Sequence, residues 1–526
     1  MLNAFLPPRK ALAACLLLAG GALPVAAQAQ LADASAPAAT DRPGQTEPDA
    51  QPSPAALPPL RIARPEAPRS PYPAEAAGLG PRTGSNTYML RAGEDWSFLA
   101  DPKAKRDRFS SLKYMPLDAD GDAYLTLNAD QRSRYAFSSR PGLNDGKDRH
   151  EFLIRTTVAA DLHILPAFRI YGELASAQIF GRNENVHQPI QENDLIIQQL
   201  FGEIRLPVAG GMARLAVGRQ EYFDGPRFII SPRDNPNIHV SMNGARLSMD
   251  WRRFRFTAID FTPTQQGDGW LDDAIGNGEM LRGVNSSFLV TDKPIAGRKA
   301  AIYFDPFYFH YENKARRIAL ISGEDRRENY GARLWGHVGT LSFDWTAIRQ
   351  NGEFSGRAVK AHAFSTSQSI ALGNGRTAPR LGFHADLASG GGNYSSTGTV
   401  HAFNFLYNAT IMFSDDNYIG AINMMDIAPT LSVPLAKNVT LSTEAGFYWR
   451  QKEGDAVYRG NAQPYVGTQL VAGKQVAHIY RATLNWAINP HVSVAGVVNY
   501  VDAGTVLRRA GYGDNSYVSM TLKLGF

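Results

Sequence analysis

Cysteine is almost missing: Cys15 is the only one in 526 residues. It falls in the leader described below, so an exported chain would hold none. That excludes a disulfide framework, a thiol nucleophile and a cysteine metal site. Long apolar runs are missing too. No stretch after the leader reaches the 18 or so residues of a membrane helix, so none is expected. A strong charge of one sign is also missing. Lys+Arg 54 against Asp+Glu 49 leaves only +5, which gives no case for nucleic acid as a partner. The eleven histidines show no paired metal spacing. Neither a metal nor a cofactor is expected.

What is present begins with "MLNAFLPPRKALAACLLLAGGALPVAAQAQ". Arg9 and Lys10 make a positive start, 11–22 is a short apolar run, and Ala27-Gln28-Ala29 is an A-x-A cleavage site. Residues 1–29 therefore read as a secretory signal peptide. The "LAAC" ending at Cys15 mimics a lipoprotein box, but the apolar run follows the cysteine instead of preceding it. Residues 30–90 are rich in Ala and Pro and poor in large apolar residues. Such a stretch cannot bury a core, so it reads as a disordered periplasmic segment, too short and Pro-rich for a folded plug. Residues 91–526 form the third region.

From Tyr124 onward the text alternates with the period of a strand. In "EFLIRTTVAADLHIL", Phe152, Ile154, Val158, Leu162 and Ile164 share one face, and Arg155, Asp161 and His163 the other. In "FRIYGEL", Phe168, Ile170 and Leu174 oppose Arg169, Tyr171 and Glu173. "TLSTEAGFYWR" and "YRATLNWAI" repeat the pattern. Several segments have the length that crosses a bilayer at a tilt. Tyr124, Tyr135, Phe137, Tyr480, Trp486 and Tyr500 sit toward segment ends, where an interfacial girdle needs them. The run "IYFDPFYFHY" reads as girdle and strand end in preference to a sugar-stacking platform. Long loops such as "PTQQGDGWLDDAIGNGEM" and "ASGGGNYSSTG" contrast with tight turns elsewhere. The chain ends on strict alternation, with Val518, Met520, Leu522, Leu524 and Phe526 on one face. A closed barrel pairs such a last strand with the first. The expected fold is all-β: a transmembrane antiparallel barrel, at about 22 to 24 residues per strand and connection giving about 18 strands.

If the apolar face meets lipid, the other face lines the lumen. This places there Asp130, Arg132, Arg134, Arg155, Asp161, Arg169, Glu173, Glu203, Arg205, Arg214, Arg246, Asp250, Arg255, Arg333, Asp344, Glu444, Arg450 and Arg481. Arg219 is added although Leu215 and Val217 would carry it to the lipid face unless a bulge intervenes. Arginines outnumber acids in this set. A net-positive lumen attracts carboxylated or phosphorylated solutes, and the guanidinium fork pairs bidentately with carboxylates. The competing reading is that Arg–Asp and Arg–Glu pairs brace a wet interior. "DADGDAY" fails as a calcium loop, since Ala123 stands at the position of its turn glycine and Ala129 at that of its last carboxylate. His491, Ser493 and Asn499 suggest a lipid hydrolase, but alternation turns Ser493 and Asn499 away from lipid. No enzyme activity is expected.

Four blocks carry a resemblance: "EDWSFLADPKAKRDRFSSLKYMPL", "VGRQEYFDGPRFIISPRDNPN", "FYWRQKEGDAVY" and "HVSVAGVVNYVDAGTVLRR". In their order and spacing the chain resembles the alginate export family of outer-membrane barrels, over about Glu94 to Phe526. The resemblance implies an 18-stranded barrel in the bacterial outer membrane. Its basic lumen would export an anionic polysaccharide past loops that narrow the pore. The partners implied are outer-membrane lipid, the barrel assembly machinery and a periplasmic scaffold protein. Two late segments read as strands, "HVSVAGVVNY" and "GTVHAFNFLYN", carry no arginine, unlike the polyuronate exporters of that family. A diffusion porin for small anionic solutes is the alternative.

Overall fold

A computed structural model of the chain describes residues 70–80, 88–119, 121–183, 188–375, 377–409 and 412–526. The expected signal peptide and most of the Ala/Pro-rich segment lie outside these residues. Alternating residues place one side-chain face on each side of a strand, and eighteen such strands close a barrel. They are β1 Tyr124–Ser138, β2 Arg149–Leu165, β3 Phe168–Arg182, β4 Asn193–Val208, β5 Gly211–Gln220 and β6 Met242–Trp251. Then come β7 Phe254–Gln265, β8 Glu279–Thr291, β9 Ala300–Ile318, β10 Ile321–Val338, β11 Leu341–Phe354 and β12 Arg357–Ala371. The last are β13 Arg380–Ala388, β14 Met424–Ala436, β15 Val439–Trp449, β16 Gln475–Asn489, β17 Val492–Ala503 and β18 Asn515–Gly525. Each is antiparallel to the next, and β18 returns to β1 in register from Asp130↔Gly525 to Ser138↔Tyr517. No edge is left open, as the alternating C-terminus predicts.

One end of the barrel has mostly two-residue turns, for example Pro166-Ala167 and Gly339-Thr340. Ala209 (φ 47°) and Gly210 (φ 74°) are both left-handed, the geometry that matches strand twist in a tight hairpin. The other end carries the connections 221–241, 389–423 and 450–474. The outer face is apolar: Leu200 is 50% exposed and Leu206 52%, while Glu203 between them is 4% exposed. On β9 and β10 this apolar face stops at Tyr308 and Tyr330, which lie opposite each other. Beyond them His310 pairs with Glu328 at 2.8 Å.

The long connections turn inward, and the simple division into apolar outside and polar inside fails at their end. Phe228, Ile229, Ile230, Phe403, Phe405, Phe413, Tyr458 and Tyr465 from the connections pack on Phe261, Phe309, Ile348, Phe354 and Tyr448 of the wall. Apolar area leaves water as it would in a soluble core. The run "IYFDPFYFHY" is therefore only half girdle. Phe304 and Tyr308 are exposed on the outside, but Tyr303, Phe307, Phe309 and Tyr311 are buried inward. Tyr124, expected in the girdle, also faces inward and stacks on His163 at 4.2 Å. "GTVHAFNFLYN" is no strand but part of the inward connection 389–423.

The segment before the barrel corrects another expectation. Residues 70–80 and 88–90, read as disordered, lie against the inner wall. Tyr72 donates to Ser287 Oγ (2.9 Å), and Tyr303 donates to Glu75 Oε1 (2.9 Å). Arg91 pairs with Asp130 at 3.3 Å, and Arg169 donates to the Ala92 carbonyl at 2.6 Å. Gly78 has φ +72°, and a Cβ there would lie 2.7 Å from Asp224 Cγ, so only glycine fits. The contacts reach β1, β3, β8 and β9, so the segment lies across the lumen. Phe526, expected bare to lipid, stacks on Phe109 at 4.8 Å, and its carbonyl accepts from Arg91. Val518, Met520, Leu522 and Leu524 keep their exposed outer positions.

Candidate functional site: the arginine-lined lumen

Register brings the guanidinium groups together. Arg205 on β4 lies directly opposite Arg214 on β5. Arg246 on β6 lies opposite Ala216, two places from Arg214 on the same face. Like charges directly opposite on a sheet face are destabilising, and diagonal neighbours are about 7–8 Å apart. Acids relieve part of this. Glu203 accepts from Arg205 Nε at 2.6 Å and Arg169 Nη1 at 3.5 Å, and Asp250 accepts from Arg214. Asp224 receives two bonds from Arg255, that from Nη2 at 2.6 Å. Arg246 differs: among the described residues it has no carboxylate within 4.0 Å and no hydrogen bond. Arg169, Glu203, Arg205, Arg214, Arg246 and Arg255 line a cavity of about 550 Å³ between the wall and residues 70–80 and 88–98. Glu94, Asp95, Glu203, Glu221 and Asp224 also line it, so the arginines are locally balanced and not in excess.

Most of the remaining candidates act as braces. Arg132 is 4% exposed and donates to the Pro236 carbonyl and Asn237 Oδ1, both at 2.9 Å. Arg134 donates to Asn235 Oδ1 (2.7 Å), and Arg155 to Asp234 Oδ1 (2.8 Å). All three hold the inward connection 221–241. Arg169 is locked to Asp161 at 2.6 Å. Glu173 accepts from the Tyr171 hydroxyl at 2.8 Å. Arg333 grips both oxygens of Asp344 (2.7 and 2.6 Å), and Arg481 both of Glu444 (2.9 Å each). For these residues the bracing reading describes what their side chains do.

Two candidates do not face the lumen. Arg219 lies opposite Leu200, on the outer face, because β4 and β5 pair without a register break there. Its guanidinium donates to the Ile197 carbonyl at 2.8 Å and to Asn243 Oδ1 at 3.1 Å. Arg450 is fully buried inside the connection 450–474, donating to the carbonyls of Gly473 (2.8 Å) and Thr468 (2.5 Å). Alternation could not reveal this, since β15 ends at Trp449.

Sequence reasoning also missed His239. It lies between Glu221 Oε1 (2.8 Å) and Asp234 Oδ1 (2.9 Å), in the connection that Arg155 anchors. Burial pulls the imidazole down, yet Glu221, against the opposing Arg155, and the hydrogen bonds to Asp234 and Glu221 raise its pKa above the ordinary value. Burial pushes the Asp234 carboxyl up. Lys523, Arg155, the His239 hydrogen bond and Arg132 more than reverse this and hold it well below the usual range. No sequence spacing joins 221, 234 and 239 to 155. The only signal was the place of Glu221 and Asp234 in the quoted block that ends at Asn237, two residues before His239.

Residues 123–520 match the family described as alginate export. No curated protein matches the chain in sequence. Among solved structures, OpdK of Pseudomonas aeruginosa, determined with vanillate, superposes with TM-score 0.51 at 10% identity, covering 77% of this chain and 98% of its own. OccAB1 of Acinetobacter baumannii gives TM-score 0.51 at 12% identity, covering 79% and 99%. OpdO of Pseudomonas aeruginosa gives 0.50 at 12% identity, covering 76% and 97%. At such identities the likeness is one of fold alone.

Proposed function

We propose, from the premise that this chain belongs to the alginate export family, that it is a passive outer-membrane channel for an anionic polysaccharide. The observation that carries this reading is Arg246. Among the described residues it presents a guanidinium without a carboxylate partner to the cavity, next to the opposed pair Arg205 and Arg214. A lumen site where Arg246 has no carboxylate partner among the described residues, beside braced arginines, stabilises a passing carboxylate, while the braces keep the wall in place. Outer-membrane lipid, the assembly machinery and a periplasmic scaffold are the partners this reading entails. Residues 1–29 serve as its export signal, and no catalytic role is assigned.

Reversal potential across a salt gradient in a planar bilayer tests it. Wild type should prefer anions, and Arg246→Glu should shift the anion-to-cation permeability ratio several-fold. Nearby charges in a wet pore are worth about 1 kcal/mol or more each, and about 1.4 kcal/mol is a factor of ten. No anion preference in wild type, or an unchanged ratio in the variant, would remove the arginine site from the mechanism.

One observation favours small anionic solutes instead. The cavity of about 550 Å³ has the size of a small-molecule pocket, and residues 70–80 and 88–98 close one side of it. Block of the ion current separates the two readings. A polyuronate oligomer should block at lower concentration than its monomer if the channel carries polymer, and no better than the monomer otherwise.

A further inference from the structure

Across the lumen from the arginines, β13 and β14 set two aspartates face to face. Asp386 lies directly opposite Asp426 in the ladder, and both are at least nine-tenths buried. Like charges directly opposite destabilise a sheet, and buried carboxylates without partners are costly. No histidine pair in the sequence has a metal spacing, so a metal is not expected from it. The barrel instead assembles a mixed set from two strands: His384, Asp386 and Asp426.

His384 Nδ1 lies 2.8 Å from Asp386 Oδ2 and 3.1 Å from Asp426 Oδ2. Three atoms bonded to one ion at about 2.0–2.2 Å are about 2.8–3.1 Å apart at right angles. Asp426 makes no hydrogen bond through either oxygen, and Asp386 Oδ1 makes none, among the described residues. A proton on His384 Nδ1 supplies one donor to this group and leaves the other oxygens without a partner. A divalent cation accepts from Nδ1 and both carboxylates at once.

The other imidazole nitrogen supports the same assignment. His384 Nε2 faces Glu444 Oε2 at 3.5 Å, and Glu444 is gripped through both oxygens by Arg481 at 2.9 Å. A carboxylate behind a histidine fixes its tautomer, so that Nδ1 is left as the metal-facing lone pair. Arg481 is held by that carboxylate and also lies 3.7 Å from Asp415.

We propose that His384 Nδ1, Asp386 and Asp426 bind a divalent cation in the lumen wall, with Glu444 and Arg481 as positioning residues. One imidazole nitrogen with two carboxylates suits zinc or manganese better than magnesium or calcium, which take oxygen sets.

The test uses the full chain purified in detergent and stripped with EDTA. Titration calorimetry with Zn²⁺, Mn²⁺, Ca²⁺ and Mg²⁺ separately should show one Zn²⁺ or Mn²⁺ per chain, bound at least tenfold tighter than Ca²⁺ or Mg²⁺. Asp426→Asn and His384→Ala should each weaken binding at least 100-fold, and Glu444→Gln about tenfold. Heat-modifiability on gels reports whether each variant is folded. Co²⁺ absorption in the visible gives a readout on wild type alone, with bands that change if the imidazole is a ligand. No stoichiometric ion in wild type, an aquo-like Co²⁺ spectrum, or binding retained in folded Asp426→Asn would each overturn the proposal and leave a histidine–carboxylate network.

Discussion

Arg132 shows what one lumen residue can be used for. Its planar fork reaches two backbone carbonyls and Asn237 from a single strand position, which a lysine could not do. Arg132→Ala leaves buried acceptors without donors, at about 1–3 kcal/mol. That loss falls on the connection 221–241, since the strand ladder through Arg132 is made by backbone atoms. The variant should remain heat-modifiable on gels. It should also show larger single-channel conductance and faster proteolysis within 221–241. Val158→Arg, on the outer face opposite Leu174, is the contrast. A charge at the lipid midplane costs about 2–4 kcal/mol, so this variant should lose assembled barrel instead.

At the scale of the element, the connection 221–241 is bound on two sides by different physics. Phe228, Ile229 and Ile230 hold it through apolar burial, and Arg132, Arg134 and Arg155 through hydrogen bonds and charge. His239 couples its two arms through Glu221 and Asp234, facing Arg155 as well. Its pKa is raised in the folded protein, so this stabilisation is fully present below the ordinary histidine value of about 6.5. It is lost as pH rises through the folded value. Asp234 has the opposite sign. Its lowered pKa contributes above the ordinary carboxylate range, and that contribution disappears only when pH falls through the folded value. Conductance should therefore rise as pH is raised above the ordinary histidine value and through the folded one. His239→Gln should abolish that step while leaving the acid limb in place. A pH-independent conductance in wild type would show that the pair does not hold the connection.

For the whole molecule, the barrel wall and its contents are separable. The eighteen strands close on themselves through backbone pairing from β1 to β18. Among the described residues, 70–80 and 88–98 contribute no ladder to that closure and meet the wall through the side chains of Tyr72 and Arg91 and the carbonyl of Ala92. Removing residues 70–93 should leave a heat-modifiable, strand-rich barrel whose conductance is several-fold higher. Unchanged conductance would place the constriction in the connections 389–423 and 450–474, which fill the other end with apolar packing.

The alternation of apolar and polar residues alone determined the barrel, because period two decides which side chains share a face. It made β1 legible from Tyr124, and the closing strand legible from Val518 to Leu524. It placed Arg155, Arg169, Arg205 and Arg246 inward, since parity is a property of neighbouring residues. Arg219 shows the same rule at work: its parity with Val217 pointed outward, and the structure keeps it there. What parity cannot supply is the partner across the lumen. Whether Arg132 meets a solute or the Pro236 carbonyl depends on where a connection a hundred residues away folds. Whether the inward-facing Phe309 meets water or an internal core depends on Phe403 and its neighbours filling the barrel mouth. The meeting of His384, Asp386 and Asp426 likewise depends on the register of β13 against β14 across the long connection 389–423. Local sequence sets the face of each strand, while contacts between distant segments are set by closure and packing, and only the tertiary structure decides those.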